Sequence, residues 1–256
     1  MISFIVPAFN EEQNIRAAVA TICAAAEESA LKDYELILID DGSADGTYSA
    51  MTEMASANPA ITPLRNDSNA GIGVSIRRGI AAARNPRFMV IPGDNDVGKS
   101  FIMLMLSFRD HADLILTVPL NKEQRTLGRN IISMLYQMIQ MTTFNVYVGY
   151  INGPGIWPTE KARTVGLDSK RFSIISELNV KLLRSGCSYA ELPGYFQSGP
   201  KVRGTVTFTN LREVVRLYFS LVYKVYISHR KDFCRPPTRI QIDFASIMSQ
   251  AGRRPK

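Results

Sequence analysis

Five short apolar runs in the first 120 residues constrain the fold more than any other feature of this sequence. They are Ile2–Val6, Tyr34–Ile39, Ile61–Leu64, Phe88–Ile91 and Leu114–Val118. None alternates cleanly between apolar and polar residues, as a strand with one wet face would. Each therefore reads as a strand covered on both faces. Between them lie stretches with apolar residues at helical spacing: Asn10–Ala30, Thr47–Ala57, Gly73–Ala83 and Ser100–Arg109. Asn10 is a candidate cap for the first, with Glu11 and Glu12 suited to its first turn. Strands alternating with helices predict an α/β fold with a mostly parallel central sheet. In such sheets ligands bind beyond the carboxyl ends of the strands. Pro7–Glu11, Asp40–Ser43 and Asp94–Asp96 each follow a strand end, so all three are expected around one crevice.

The pattern changes after residue 120. Arg125–Thr143 reads as a Met-rich amphipathic helix, Tyr147–Trp157 as turn-rich chain, and Ser173–Ser185 as a helix stopped by Gly186. Tyr189–Leu192 is a strand candidate and Gln197–Thr209 is polar, glycine-bearing and basic. Leu211–Lys231 is a long helix candidate, and residues 236–256 read as a loosely held tail. The expected division is a domain over 1–210, with halves 1–120 and 121–210, then an amphipathic helix over 211–235 and the tail.

Charge divides the same way. Residues 1–160 hold 12 basic and 17 acidic side chains, and residues 161–256 hold 18 and 6. An acidic front half suits a metal ion, and a basic back half suits phosphates or an anionic membrane face. No aromatic-and-basic recognition motif is present, so nucleic acid is not an expected partner. Cys23, Cys187 and Cys234 are odd in number and far apart, which fits reduced thiols serving as small buried hydrophobes in a cytoplasmic protein. The first residues carry no targeting signal, and no apolar stretch is long enough to span a bilayer.

Three constellations carry chemistry. Asp94-Asn95-Asp96 places two carboxylates where they can converge on a hard cation such as Mg²⁺ or Mn²⁺, although the same residues also make a good solvated turn. Asp40-Asp41-Gly42-Ser43 can accept hydrogen bonds from a base or ribose, or simply cap and turn. Asn69-Ala70-Gly71-Ile72-Gly73 can bring backbone N–H groups to an anion. Arg77 lies near this block and suits either phosphates bound there or a solvated helix face. Trp157 fits a lid on a ligand site or a packed core.

Taken in order, Ile5-Val-Pro-Ala-Phe-Asn-Glu-Glu-Gln-Asn-Ile15, Leu38-Ile-Asp-Asp-Gly-Ser-Ala-Asp-Gly-Thr47, Asn69-x-Gly71-x-Gly73 and Gly93-Asp-Asn-Asp96 resemble family 2 glycosyltransferases of the GT-A fold. The resemblance implies donor contacts for Pro7, Phe9, Glu11, Asp40, Asp41, Gly71 and Asp94. It implies that Asp94 and Asp96 hold Mg²⁺ or Mn²⁺. More loosely, the back half looks like the branch that glycosylates dolichyl or other polyprenyl phosphates. Arg129 and Ser133, one helical turn apart, and Lys201 and Arg203 would then bind the acceptor phosphate. Phe172–Leu183, with Glu177, matches that branch's acidic helix. For a hydroxyl acceptor, Asp96 or Glu177 would act as the catalytic base.

The implied activity is inverting transfer from a UDP- or GDP-sugar to a polyprenyl phosphate lipid, with a glycan or other hydroxyl acceptor as the alternative. The enzyme would sit peripherally on the cytoplasmic membrane face, alone, as a homo-oligomer or with a membrane-protein partner. Several motifs depart from the pattern: Gly98 replaces a glutamine, Thr117-Val118-Pro119 replaces Gly-Ser-Arg, Gly149–Gly155 lacks an acid and an arginine, and Val206-Thr207 replaces Ser-Lys.

Overall fold

The computed structural model describes residues 1–120, 127–171, 173–194 and 208–243, without the side chains of 127, 129 and 208–213. Strands β1 (Ile2–Ala8), β2 (Tyr34–Asp40), β3 (Ile61–Arg65), β4 (Arg87–Val90), β5 (Leu114–Pro119), β6 (Gly155–Pro158), β7 (Ser188–Gly194) and β8 (Thr238–Arg239) form one sheet in the order β3-β2-β1-β4-β6-β5-β7-β8. All neighbours pair in parallel except β6, which runs antiparallel between β4 and β5. The helices are α1 (Ile15–Glu28), α2 (Thr47–Ala57), α3 (Ile72–Ala82), α4 (Lys99–Ser107), α5 (Leu127–Phe144), α6 (Thr159–Thr164), α7 (Ile174–Arg184) and α8 (Phe208–Tyr223). A π-helical turn over Lys224–Ser228 extends α8.

The five apolar runs are the five parallel strands expected, and β1 is buried along its whole length. One apolar cluster joins α1 and α4 to one face of the sheet, through Phe4, Val6, Ile22, Phe101 and Met105. The other joins α3 and α7 to the opposite face, through Ile5, Ile37, Ile76, Leu178 and Trp157. The two clusters divide the alternating residues of β1 between them, which is why no polar alternation was available in its sequence.

Four local expectations need correction. Asn10 does not cap α1: it takes a left-handed conformation (φ 55°) and its side chain accepts the Ala44 N–H at 3.0 Å, so the helix starts at Ile15. Tyr147–Trp157 is not all turn, because it contains the start of β6. That strand has only four residues, too few for periodicity to reveal. Trp157 is a core residue, fully buried, stacked on Phe88 with ring centroids 5.4 Å apart and donating to Asn179 Oδ1 at 2.6 Å. The segment after Pro236 is not loose as far as residue 243: β8 pairs with β7, and Ile240 and Ile242 pack on the first cluster. Of the cysteines, Cys187 is buried, Cys23 half-buried and Cys234 exposed, and all three are free thiols.

Among the described residues, helices α5 and α8 leave an apolar surface uncovered. Thr143 Oγ1 and Tyr218 Oη lie 2.7 Å apart, and Phe144 stacks on Tyr226, so the two elements share one surface. Ile132, Met134 and Met138 of α5 are more than half exposed, as are Phe219 and Tyr223 of α8 and Ile227 of the π turn. Among the described residues no helix is long and apolar enough to cross a membrane.

At the other end of the strands, Glu35 fastens β1 and β2 to the turn before β4. It accepts from Ser3 Oγ at 2.7 Å, Arg84 N–H at 2.6 Å and Arg84 Nε at 2.8 Å. Burial raises the Glu35 pKa, but these hydrogen bonds and the Arg84 charge outweigh it, and the carboxyl ends below its ordinary 4.5. A depressed folded pKa gives stability that is complete above the unfolded value and is lost as pH falls through the folded one. The urea midpoint should therefore decline on acidification below about pH 4.5, with a shallower decline for Glu35→Gln.

Candidate functional site

A cleft of about 410 Å³ opens beyond the carboxyl ends of β1, β2 and β4. Its lining includes Pro7, Phe9, Glu11, Asp41, Gly71, Asp94 and Arg171. The sheet brings these together. Ala8 pairs with Asp40, the Asp41 N–H donates to the Ala8 carbonyl at 2.8 Å, and the Gly93 N–H donates to the Pro7 carbonyl at 3.0 Å. Three separated sequence blocks thus end side by side.

Asp41 organises the glycine block. Its carboxylate accepts the N–H groups of Ala70 at 3.1 Å and Gly71 at 2.9 Å, and the Asn66 amide at 2.7 Å. Gly71 has φ of 93°, a backbone region nearly closed to other residues. Asp40 behaves differently from its neighbour. It is fully buried, accepts the Ser43 N–H at 3.0 Å and pairs with Arg65 Nε at 3.1 Å. It is not among the residues lining the cleft, so a direct contact from Asp40 to a donor base or ribose is not retained. Successive residues at a strand end point opposite ways, and only one of the two acids can face the crevice.

Asp94 lines the cleft, and its carboxylate accepts the Asp96 N–H at 3.2 Å. Asn95, between them, is left-handed (φ 61°) and accepts from Thr21 Oγ1 at 3.1 Å, which fixes the turn. The Asp96 carboxyl is pushed above its ordinary value, first by burial, then by the charges of Asp94 and Glu11. Three carboxylates therefore lie within electrostatic reach of one another, an arrangement that a cation relieves. Among the described residues no three His, Cys, Asp or Glu side chains converge as a complete metal cage. Two carboxylates suit Mg²⁺ or Mn²⁺, whose remaining ligands are commonly waters and substrate phosphate.

Glu177, expected as a possible base, does not line the cleft. It is buried and accepts the N–H groups of Asp168 and Ser169 at 3.1 and 2.9 Å, and Lys181 Nζ at 2.6 Å. With its oxygens committed to those donors, it is a structural carboxylate rather than a proton acceptor for substrate. Arg77 donates to the Ser169 carbonyl, which answers neither earlier reading of it. Ser133 is half-buried on α5, the Arg129 side chain is not described, and Lys201 and Arg203 lie outside the described residues. The residue that sequence reasoning missed is Arg171. Its only signal was a Lys170-Arg171 pair just ahead of the helix, and nothing in that pair indicates which cleft it faces.

The sequence pattern that defines Glycosyl transferase family 2 matches residues 3–165. The chain belongs to that family. A dolichol-phosphate mannosyltransferase of Mycosarcoma maydis is 27% identical over 232 residues, covering 84% of this chain and 78% of that protein. Among solved structures, glucosyl-3-phosphoglycerate synthase from Mycobacterium tuberculosis, crystallised with Mn²⁺, UDP and phosphoglyceric acid, superposes with a TM-score of 0.59 at 16% identity. The match covers 88% of this chain and 78% of that one. S. aureus TarS 1-349 in complex with UDP gives a TM-score of 0.61 at 17% identity, over 90% and 68% of the two chains. These likenesses establish the GT-A fold, and the chain is a glycosyltransferase resembling the polyprenyl-phosphate sugar synthases.

Gly71 gives this site a direct test. A Cβ there would collide with the Lys170 carbonyl in a strained backbone region. In the transferase, Gly71→Ala should cost about 1–3 kcal/mol of stability and weaken nucleotide binding. Chemical denaturation and calorimetric titration with UDP and GDP measure the two effects.

Proposed function

We propose that this glycosyltransferase moves a sugar from a nucleoside-diphosphate sugar to a polyprenyl phosphate, with inversion, at a membrane surface. The observation that carries the reading is the gathering of Glu11 and Asp94 beside the Asp41-bound glycine turn in one cleft, with Asp96, which does not itself line the cleft, close enough to feel the charges of both. The cleft lies where a parallel sheet binds ligands. Pro7, Phe9, Asp41 and Gly71 would hold the nucleoside end. Asp94 and Asp96 would hold Mg²⁺ or Mn²⁺, which when bound offsets the charge of the leaving diphosphate.

The acceptor assignment is supported by the dolichol-phosphate mannosyltransferase likeness and by the chemistry of the site. A phosphate oxygen is already anionic near neutral pH and needs orientation more than a base. That suits a chain whose Glu177 is tied to its own backbone. Ser133 and Arg129 on α5, with Lys201 and Arg203, would orient it. The apolar surface of α5 and α8, with exposed Arg216, Arg230 and Lys231 on or just after α8, would meet an anionic bilayer from one side. A hydroxyl acceptor is favoured instead by the replacement of the arginine-bearing motif with Thr117-Val118-Pro119. Asp96 would then be the base.

Nucleoside diphosphate release from a panel of UDP- and GDP-sugars, with Mg²⁺ or Mn²⁺ and with or without undecaprenyl or dolichyl phosphate, tests the assignment. Lipid-dependent release that falls by about 100-fold or more in Asp96→Ala is expected. Donor turnover that ignores the lipid phosphate moves the acceptor to a hydroxyl compound, and failure to bind any nucleotide sugar overturns the reading. The membrane contact has its own test. The protein should sediment with vesicles containing phosphatidylglycerol, and the Ile132→Glu, Met138→Glu double variant should stay in the supernatant with its donor affinity intact.

A further inference from the structure

The donor cleft is lined by Glu11, Asp41 and Asp94, and Arg171 is the single cationic side chain among its described lining residues. A nucleoside diphosphate brings more negative charge into that setting. An arginine fork matches phosphate oxygens with two parallel N–H donors and keeps its charge at any working pH.

Arg171 reaches the cleft on the segment between α6 and α7, and that segment is unusually well anchored. From beneath, Glu177 takes the N–H groups of Asp168 and Ser169, while Lys181 bridges Glu177 to the Gly166 carbonyl. From the other side, the Lys170 carbonyl accepts the Gly73 N–H at 2.9 Å and the Ser169 carbonyl accepts Arg77. This approach is close enough that a Cβ on Gly73 would collide with the Ser169 carbonyl. A Cβ on Gly71 would lie 3.7 Å from Arg171 Cγ, so the arginine stem runs directly past the glycine turn. A fully buried lysine and a nearly buried glutamate are costly to keep in a small enzyme. Here they clamp the backbone that carries the cleft's cation.

We propose that Arg171 binds the phosphates of the donor nucleotide, and that Glu177 and Lys181 are positioning residues that hold it at the glycine turn. The inference rests on the donor-site reading above and adds a phosphate ligand to it. Direct hydrogen bonds from a charged donor are strong enough that losing them is readable in affinity.

The test is calorimetric titration of the full chain with UDP, GDP and the parent nucleosides, in EDTA and again with Mn²⁺. Wild type should bind a diphosphate more tightly than its nucleoside. Arg171→Gln should weaken diphosphate binding about tenfold in EDTA as well as in Mn²⁺, leave nucleoside binding unchanged, and be partly restored by Arg171→Lys. The double variant Glu177→Leu, Lys181→Met removes the clamp without stranding a buried charge, and should show the same selective loss. Adding Arg171→Gln to it should then cost little more. If wild type binds diphosphates and Arg171→Gln binds them equally well, or loses nucleoside and diphosphate alike, the phosphate role is wrong while the donor site stands. If the clamp variant folds and keeps full diphosphate affinity, the positioning role is wrong. If wild type binds no nucleotide, the donor-site reading falls and this inference with it.

Discussion

The parallel register around β1 is the constraint from which the rest of this structure follows. β1 pairs with β2 on one side and β4 on the other, and the pairing continues past the strand ends through Asp41 N–H to Ala8 and Gly93 N–H to Pro7. A shift of one residue in either pairing would turn Asp41 or Asp94 away from the crevice and push an apolar side chain into it. The register itself is held by burial, because both faces of these strands are covered and any slip would exchange residues between two filled apolar clusters. The geometry of the cleft is therefore secured by the core, and the loops have only to turn.

A second level of organisation joins the later part of the chain to this crevice. The segment ahead of α7 packs against the glycine turn that starts α3, and it does so through backbone groups on both sides. Backbone-to-backbone packing at that distance admits only glycine at positions 71 and 73. The buried Glu177–Lys181 pair supplies the remaining hydrogen bonds, 2.6 Å apart and almost without solvent. Breaking such a pair by removing one member typically costs about 3–5 kcal/mol, because the other charge is left buried. The pair is better understood as a device for placing one loop than as a source of net stability.

The outer surface repeats the division of labour seen in the charge distribution. Carboxylates gather in the cleft at the strand ends, whereas α5, α8 and the turn after them present apolar side chains with basic residues close by. The proposed transfer from a water-soluble donor to a polyprenyl phosphate would use both kinds of surface, and one sheet supports both here.

Much of this was determined by sequence alone. The five apolar runs, their separation by helical stretches and the acids after them specified a parallel α/β fold and one crevice, because hydrophobic patterning and turn chemistry are local properties that survive in one dimension. The four motif blocks pointed to the glycosyltransferase family for the same reason. Only the tertiary structure decided which of two adjacent acids faces the cleft: Asp41 lines it and Asp40 does not. Only it showed that Glu177 serves its own backbone and that Arg171 enters the cleft. Only it revealed β6, a four-residue strand whose identity comes from the neighbours on either side of it. These placements depend on partners well apart in the chain, as Asp41 does on Gly71, 30 residues on, and the segment carrying Arg171 does on Arg77, which bonds Ser169 across 92 residues. Local sequence carries no record of such partners, because close packing, not propensity, selects them.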